Sequence, residues 1–534
     1  MPEYLSPGVY IQEVDTGPRP IEGVGTAMAA FVGFAPSGPA NQPVLITNWS
    51  QYVDTFGSTE DGGRRNPHLS GAYLSHAVHG YFLNGGGRCY VARIAPGDGR
   101  TNGKGAASKL PAAQIPGRSA KGLASLTATA KTTPSADIQI EVTPPTATGE
   151  EPAPEGTFTL KIRMGATEET YENVSLAKRG AKNVVETVNQ ASKLVTLLEV
   201  PGQASLAERT PGLGTYTLKG PEQTAVVPQI KSQHFVGEVT ERSGLEGLEV
   251  ADDVTMVCCP DVFSAFPIKP DDTDEAKKDA LDKIKSVQLA MIAHCERLGD
   301  RIALIDPPPG LTPQQMKKWR ERDSNYDSKY AALYYPWIRV DGPDGSPIDV
   351  PPSGYIAGVY ARNDNERGVH KAPANEVIRG ALSPEIQITK GEQDVLNPLG
   401  VNCIRTFVGR GIRVWGARTL SSDPAWRYVS VRRLFNYVEE SIERGTQWVV
   451  FEPNDADLWA RVRRDVGAFL TGVWRDGMLF GATPAEAFFV KCDAENNPSD
   501  VRDRGQLIID IGMAPVKPAE FIVFRFSQYA GGGA

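Results

Sequence analysis

The sequence predicts a multidomain protein of mixed α/β and α+β class, and three observations carry that prediction. Strand-like and helix-like runs alternate in two separated stretches, residues 21–100 and 236–395, which is the pattern of one discontinuous α/β domain. Between them, residues 101–235 open as a linker rich in Gly, Ala, Ser and Lys, then turn to Thr- and Val-rich alternation broken by prolines, as expected of an inserted β-rich domain. Residues 396–453 concentrate Arg, Gly and aromatic side chains. They read as a hairpin, a helix and a covered strand, and they begin a mixed C-terminal α/β domain that runs to residue 530.

The elements follow in order. Residues 1–20 hold prolines and glycines that forbid a helix, with one extended strand over Val9–Val14. A lone strand needs a partner, either its own domain or the sheet of another subunit. Ala27–Phe34 is apolar; Asn48 caps a short helix through Tyr52 and Phe56; Leu69–Leu83 is helical and ends at Gly85–Gly87; Cys89–Ile94 is a strand. In the insertion, Ile138–Val142 and Phe158–Ile162 alternate as strands. Val254–Cys259 is a continuous apolar run, expected as a strand covered on both faces, followed by an amphipathic helix over Asp274–Leu298. Strand Arg301–Ile305, helix Pro313–Arg322, strand Ala331–Val340 and a helix from Gly354 continue the alternation. Gly400–Phe407 and Ile412–Trp415 form a hairpin around Gly409 and Gly411; Ser422 or Asp423 caps a helix striped by Val431, Leu434, Phe435, Val438 and Ile442; Gln447–Phe451 reads as a strand. Asn454 or Asp455 caps a helix striped by Leu458, Val462, Val466 and Leu470. Strands are expected at Ala487–Cys492, Gln506–Met513 and Phe521–Phe526, and a flexible tail at 531–534.

Composition narrows the function classes. The 534 residues are 40% hydrophobic and 22% charged, enough apolar side chain for a sizeable core. A formal net charge of −8 argues against a surface that binds nucleic acid throughout. No apolar run reaches the ~18 residues of a membrane span, and the N-terminus lacks the basic start and apolar core of a signal peptide. The six cysteines sit mostly in apolar runs, as free buried thiols would.

No catalytic constellation emerges. Gly103-Lys104 does not complete a phosphate loop, and Val414 breaks the dinucleotide pattern that Gly409 and Gly411 would start. His68, His76 and His79 lack a completing Cys or carboxylate, so packing is preferred to a metal site. The acidic run Asp271, Asp272, Asp274 and Glu275 suits a solvated helix start.

Several phrases carry a family resemblance: PGVYIQEVDTGPRPIEGV, FLNGGGRCYVARI, YIAGVYARND, GRGIRVWGARTL, WRYVSVRRLFNYVEESI and WVVFEPND. They resemble contractile tail sheath proteins of contractile-tailed phages and phage-tail-like injection systems, over residues 5–95 and 250–530. The resemblance implies a structural protein without enzymatic activity or cofactor. Copies would form hexameric rings stacked helically around an inner tube and would contract to drive that tube through a target envelope. The implied partners are other copies, the inner tube protein, a baseplate and terminator or cap proteins, with no nucleic acid and no direct membrane insertion. The implied place is a phage virion or tail-like particle assembled in the bacterial cytoplasm, without a secretory signal. By the same resemblance, β-strand augmentation completes the C-terminal domain with strands from neighbouring subunits. The exchanging residues would be Val9, Tyr10, Ile11, Gln12, Glu13 and Val14 at one end and Phe521, Ile522, Val523, Phe524 and Phe526 at the other, with Ile508, Ile509 and Ile511 in the acceptor. Arg461, Arg463 and Arg464 are expected to face the tube. An α/β enzyme with a site in 250–340 and a static shell or surface-layer protein are the rival classes.

Overall fold

The computed structural model describes residues 20–59, 65–95, 112–118, 124–131, 137–146, 156–164, 167–177, 182–200, 205–218, 230–269 and 271–525. The predicted strand Val9–Val14, Phe526 and the tail lie outside the described residues. The described chain divides into two compact units, residues 26–432 and residues 20–25 with 433–525.

The larger unit is built on a nine-stranded sheet. Its strands are β1 (Ala29–Gly33), β2 (Pro43–Ile46), β3 (Cys89–Arg93), β4 (Met256–Cys258), β5 (Ile302–Ile305), β6 (Ala331–Tyr335), β7 (Glu376–Val377), β8 (Val401–Phe407) and β9 (Gly411–Trp415). The spatial order is β7-β9-β8-β6-β5-β4-β1-β3-β2. The six central strands, β8 to β3, pair in parallel, and antiparallel strands close both edges. Period-two alternation sends side chains to opposite faces. Phe31, Met256, Cys258 and Leu304 share a core with helices α1 (Leu74–Asn84) and α3 (Ser353–Arg367); Val32, Val257, Ala303 and Ile305 share another with α2 (Asp274–Leu298). Both faces are covered, which is why these strands read as continuous apolar runs.

Helices α1 and α3 meet almost backbone to backbone. A Cβ on Gly354 would lie 2.4 Å from Ala77 Cα, one on Gly358 2.5 Å from the Tyr81 carbonyl oxygen, and one on Gly80 2.4 Å from the Tyr355 ring. Beyond that contact, Arg362 Nη1 donates to the Asn84 carbonyl at 2.9 Å, and Asn84 Nδ2 donates to the Arg379 carbonyl at 3.0 Å.

Residues 112–218 form sheets of their own. A five-stranded sheet runs Lys182–Asn183, Thr167–Ser175, Thr157–Met164, Ile138–Thr143, Gly214–Leu218, and a three-stranded sheet runs Val195–Glu199, Ala124–Ala130, Ala112–Pro116. Their inward side chains, among them Leu126, Ile140, Phe158, Leu160 and Leu197, make a separate apolar core with Val188 of the helix Val184–Ala191.

Four expectations need correction. The border expected at 396 falls inside the α/β sheet, because β8 and β9 join it through the β6–β8 pairing; the units divide at 432/433. The single strand expected over Ala331–Val340 is two. Pro336 offers no N–H to continue the ladder, and Ile338–Asp341 joins a different three-stranded sheet. Asp423 caps a short 3-10 turn, Pro424–Trp426, accepting from Ala425 N at 2.8 Å, while the long helix starts at Val429. Gln447–Phe451 is no strand: a 3-10 turn at Gln447–Val449 leads to Phe451 at φ 70°, fully exposed. The expected caps Asn48 and Asp455 do accept helix amides, from Gln51 N and Leu458 N, each at 2.9 Å. All six cysteines are free and buried.

Candidate assembly site

The smaller unit carries most of the residues singled out in the sequence. Its helices are the C-terminal part of α4 (Val429–Gly445) and α5 (Ala456–Arg475); its strands are β10 (Phe488–Lys491) and β11 (Asp510–Met513). Leu458, Val462, Val466, Leu470 and Val473 recur at helical spacing and are buried. The Tyr437 and Phe469 rings lie 6.2 Å apart between α4 and α5. Residues 20–25 run along α4: a Cβ on Gly445 would lie 2.7 Å from Ile21 Cγ1, and Val24 N donates to Ser441 Oγ at 3.1 Å. The chain segment that follows Val9–Val14 is therefore held in this unit.

Strands β10 and β11 pair antiparallel, with Val490 opposite Ile511, and no third strand joins them among the described residues. The pair packs against α5, and just past β11 the chain bridges Leu479 at Pro515. The strand expected over Gln506–Met513 is shorter than its apolar run. Ile508 N donates to Asn497 Oδ1 at 2.7 Å and its carbonyl accepts from Asn497 Nδ2 at 2.9 Å, so a side-chain amide takes both backbone groups. Ile511 is in the strand; Ile508 and Ile509 precede it.

The C-terminal arm is the longest run of exposed large apolar side chains among the described residues of this unit. Phe521, Ile522, Val523 and Phe524 are 73–76% exposed and form no strand within the chain. Four consecutive large apolar side chains in water form a surface that favours being covered. Phe451, Phe480 and Phe489 add further exposed apolar area to the same unit.

The three arginines expected to act together do not share a face. Arg461 and Arg464 are exposed, one turn apart on α5. Arg461 pairs with Glu452 at 3.2 Å and lies 5.2 Å from the Trp448 ring; Arg464 pairs with the buried Asp465 at 3.0 Å. Arg463 points back into the unit, where Nη1 donates to the Cys492 carbonyl. A spacing of two residues turns a helix by about 200°, which separates Arg463 from Arg461.

The larger unit has the topology in which a doubly wound fold opens a ligand crevice, at the C-terminal ends of β1 and β4 where strand order reverses. Here Asp261 fills that place. Its carboxylate accepts from Phe34 N at 2.6 Å, from Leu74 N at 3.2 Å, from Tyr73 N and from Ser264 Oγ at 3.1 Å. A Cβ on Gly33 would lie 2.4 Å from Asp261 Oδ2, so glycine leaves room for it. The amides at the start of α1, which could cradle a ligand anion, are thus taken by the protein's own carboxylate. Asp306, after β5, likewise accepts from Ser353 N at the start of α3, at 2.9 Å.

Burial pushes Asp261 up to about 6 and Asp306 up to about 7, against the pull of these amides. A carboxyl raised in the folded state stabilises below its ordinary range, and that contribution is lost as pH rises through the folded value. Asp306→Asn keeps the acceptor for Ser353 N and cannot ionise. Urea unfolding at pH 5 and pH 8 should show a smaller loss of stability for the variant than for the wild type; an unchanged pH slope refutes this role. Sequence reading missed both aspartates, because a single Asp after a strand has no signature.

The histidines pack as a cluster. The His68 and His76 rings stack at 4.5 Å and His79 lies 4.8 Å from Trp49. Burial holds His68 at about 4 and His76 at about 3, so both are neutral at physiological pH.

Comparisons with known proteins find tail sheath proteins. A model of the phage tail sheath protein central domain matches residues 278–420, and one of the phage tail sheath C-terminal domain matches 421–528. The tail sheath protein of Burkholderia phage BcepMu is 25% identical across 97% of this chain and 95% of its own length. That of Vibrio phage KVP40 is 29% identical over 33% of this chain, which spans 26% of the phage protein; that of Enterobacteria phage T4 is 23% identical over 48% of this chain, which spans 41% of it. Among solved structures, a chain of the anti-feeding prophage baseplate, 6-fold symmetrised, superposes with a TM-score of 0.56 at 25% identity, covering 98% of this chain and 99% of that one. A chain of an extracellular contractile injection system, the PVC sheath complex in its contracted state, shares the fold with the same TM-score at 23% identity, each chain covered to 99%. Two adjoining domain models and a relative similar from end to end lead to one family: this chain belongs to the contractile tail sheath proteins.

Proposed function

We propose that this chain is the structural subunit of a contractile sheath. Copies polymerise helically around an inner tube, and a change of their interfaces shortens the polymer and drives the tube through a target envelope. The observation that carries this reading is the smaller unit's open two-stranded sheet beside an exposed apolar C-terminal arm, in a chain matched by both tail sheath domain models. A head-to-tail contact that does not close generates a helix of subunits. Strands donated from Val9–Val14 and from Phe521–Phe526 into the β10–β11 sheets of neighbours would tie each copy to others while letting the units rotate as rigid bodies. Such a switch releases energy stored in interfaces and needs no catalytic group.

The hexameric ring and the baseplate are the partners suggested by the 6-fold baseplate among the structural relatives. The inner tube is assigned to the exposed face of α5 with Arg461 and Arg464, since charged contacts can be released during contraction more readily than an apolar seam. Residues 112–218, with their own core, are read as an inserted domain on the outer side, away from the tube. The product is a phage tail or a phage-tail-like particle.

Negative-stain electron microscopy of the full-length chain tests the reading: hollow helical rods are expected, and a monodisperse monomer under assembly conditions overturns it. Arg461→Glu with Arg464→Glu should leave self-polymerisation intact and weaken co-assembly with the tube protein about tenfold or more. Wild-type co-assembly by that variant would remove the tube assignment.

A further inference from the structure

The tip of the β8–β9 hairpin extends beyond the pairing that ties β8 to β6. Register pairs Tyr335 of β6 with Cys403, so Ile404–Phe407 run on beyond the end of β6, paired with β9. Gly409 and Gly411, at φ 71° and 75°, turn the tip, and Val408 there is fully exposed. The overhang is stiffened on one side by the Phe407 and Trp415 rings, 4.4 Å apart. Arg405 lies 5.3 Å from the Phe407 ring, and Arg410 lies 5.7 and 5.9 Å from the two rings.

The three guanidiniums of this hairpin all have neutral acceptors. Arg405 donates to the Ile388 carbonyl at 3.1 Å and to Gln393 Oε1 at 2.9 Å; Arg410 donates to Asn375 Oδ1 at 2.8 Å; Arg413 donates to the Arg410 carbonyl at 3.0 Å and the Asn375 carbonyl at 2.5 Å. Among the described residues no carboxylate pairs with any of them. Three positive charges, fixed by ring stacking and by Asn375 and lacking an anion, form a preorganised site for carboxylates.

We propose that the tip of this hairpin docks, through Arg410, Arg413 and Val408, on a carboxylate-bearing face of a second copy of this chain. The inference rests on the sheath reading, which sets copies side by side, and adds a contact separate from the strand exchange. Charge complementarity selects the occupant: 64 Asp and Glu stand against 56 Lys and Arg, so each neighbouring copy carries a net negative charge. The same net charge of −8 disfavours a polyanionic nucleic acid. The contact is expected to be salt-sensitive, since exposed charge pairs are screened within about 10 Å at moderate ionic strength.

The test uses the full-length chain with a photo-crosslinking amino acid at Val408, in assembled polymers. Crosslinks should join two copies and map to a peptide with two or more carboxylates. Arg410→Glu with Arg413→Glu should raise the concentration needed for polymerisation about tenfold. The milder Arg410→Gln with Arg413→Gln should polymerise less well than wild type at low salt and equally at high salt. Unchanged thermal unfolding of both variants would show that the larger unit still folds. A wild-type chain that polymerises together with a Glu variant that does so equally well overturns the hairpin contact alone. So do crosslinks confined to a different protein or to an uncharged peptide. A wild-type chain that never polymerises takes down the sheath reading and this contact with it.

Discussion

Ile522→Pro is expected to leave thermal unfolding of the monomer unchanged and to suppress polymer formation. Within the chain Ile522 is 74% exposed and lies in no strand, so little folded structure depends on it. In a neighbour's sheet it would supply a backbone N–H and a buried side chain. Fully burying such a side chain contributes roughly 1.5–3 kcal/mol, and a ladder hydrogen bond about 1 kcal/mol more. Losing both costs about 3 kcal/mol per donated strand, roughly a hundredfold in the concentration at which copies associate. Sedimentation of the purified chain across a concentration series, beside a thermal melt, measures both quantities. Polymer at the wild-type concentration would refute strand donation by the arm, and a lowered melting temperature would mean that the arm is part of the monomer's own fold.

Gly354→Ala should destabilise the larger unit, and Gly354→Val should prevent soluble expression. Two effects oppose each other at this position. Alanine is favoured over glycine by about 1 kcal/mol in a helix interior, and by less at Gly354, the second residue of α3. A Cβ here, however, would lie 2.4 Å from Ala77 Cα and 2.5 Å from the Ala77 carbonyl oxygen, and these are backbone atoms that cannot rotate away. Overpacking of this kind typically costs 1–3 kcal/mol and more where backbone must move, so packing wins and the net loss for alanine is about 2 kcal/mol. Urea unfolding of the full-length chain decides the sign. A stabilised Gly354→Ala variant would mean that α1 and α3 are further apart than described.

Much of the fold was legible because its causes are local. Thr273 accepts from Ala276 N at 3.2 Å and opens a helix that ends at Gly299 in the left-handed region, and cap, amphipathic stripe and stop all lie within one stretch of chain. The strands covered on both faces announce themselves by continuous apolar runs such as Met256–Cys258. The candidate site was legible in part. The α5 stripe could be read from residue type and spacing, whereas Phe521–Phe526 read as a strand although residues 521–525 form none within the chain, and Arg463 differs from its neighbours only by helical phase and by the Cys492 carbonyl it meets. Gln447–Phe451 shows where apolar pattern misleads. The run was expected to be covered, yet Val450 and Phe451 are exposed in the monomer, and hydrophobicity alone does not say whether the cover comes from the same chain.

Helix caps and the period of each apolar stripe depend on residues a few positions apart, and these the chain carries in its order. Other features depend on groups brought together from far apart. Asp261 meets Phe34 across 227 positions and fills the crevice at the strand reversal; Gly354 matters only because Ala77 lies against it; β8 and β9 belong to the larger unit only because β6 pairs with β8. No local pattern encodes such contacts, since they are selected by burial of apolar surface and satisfaction of backbone groups across the whole folded unit.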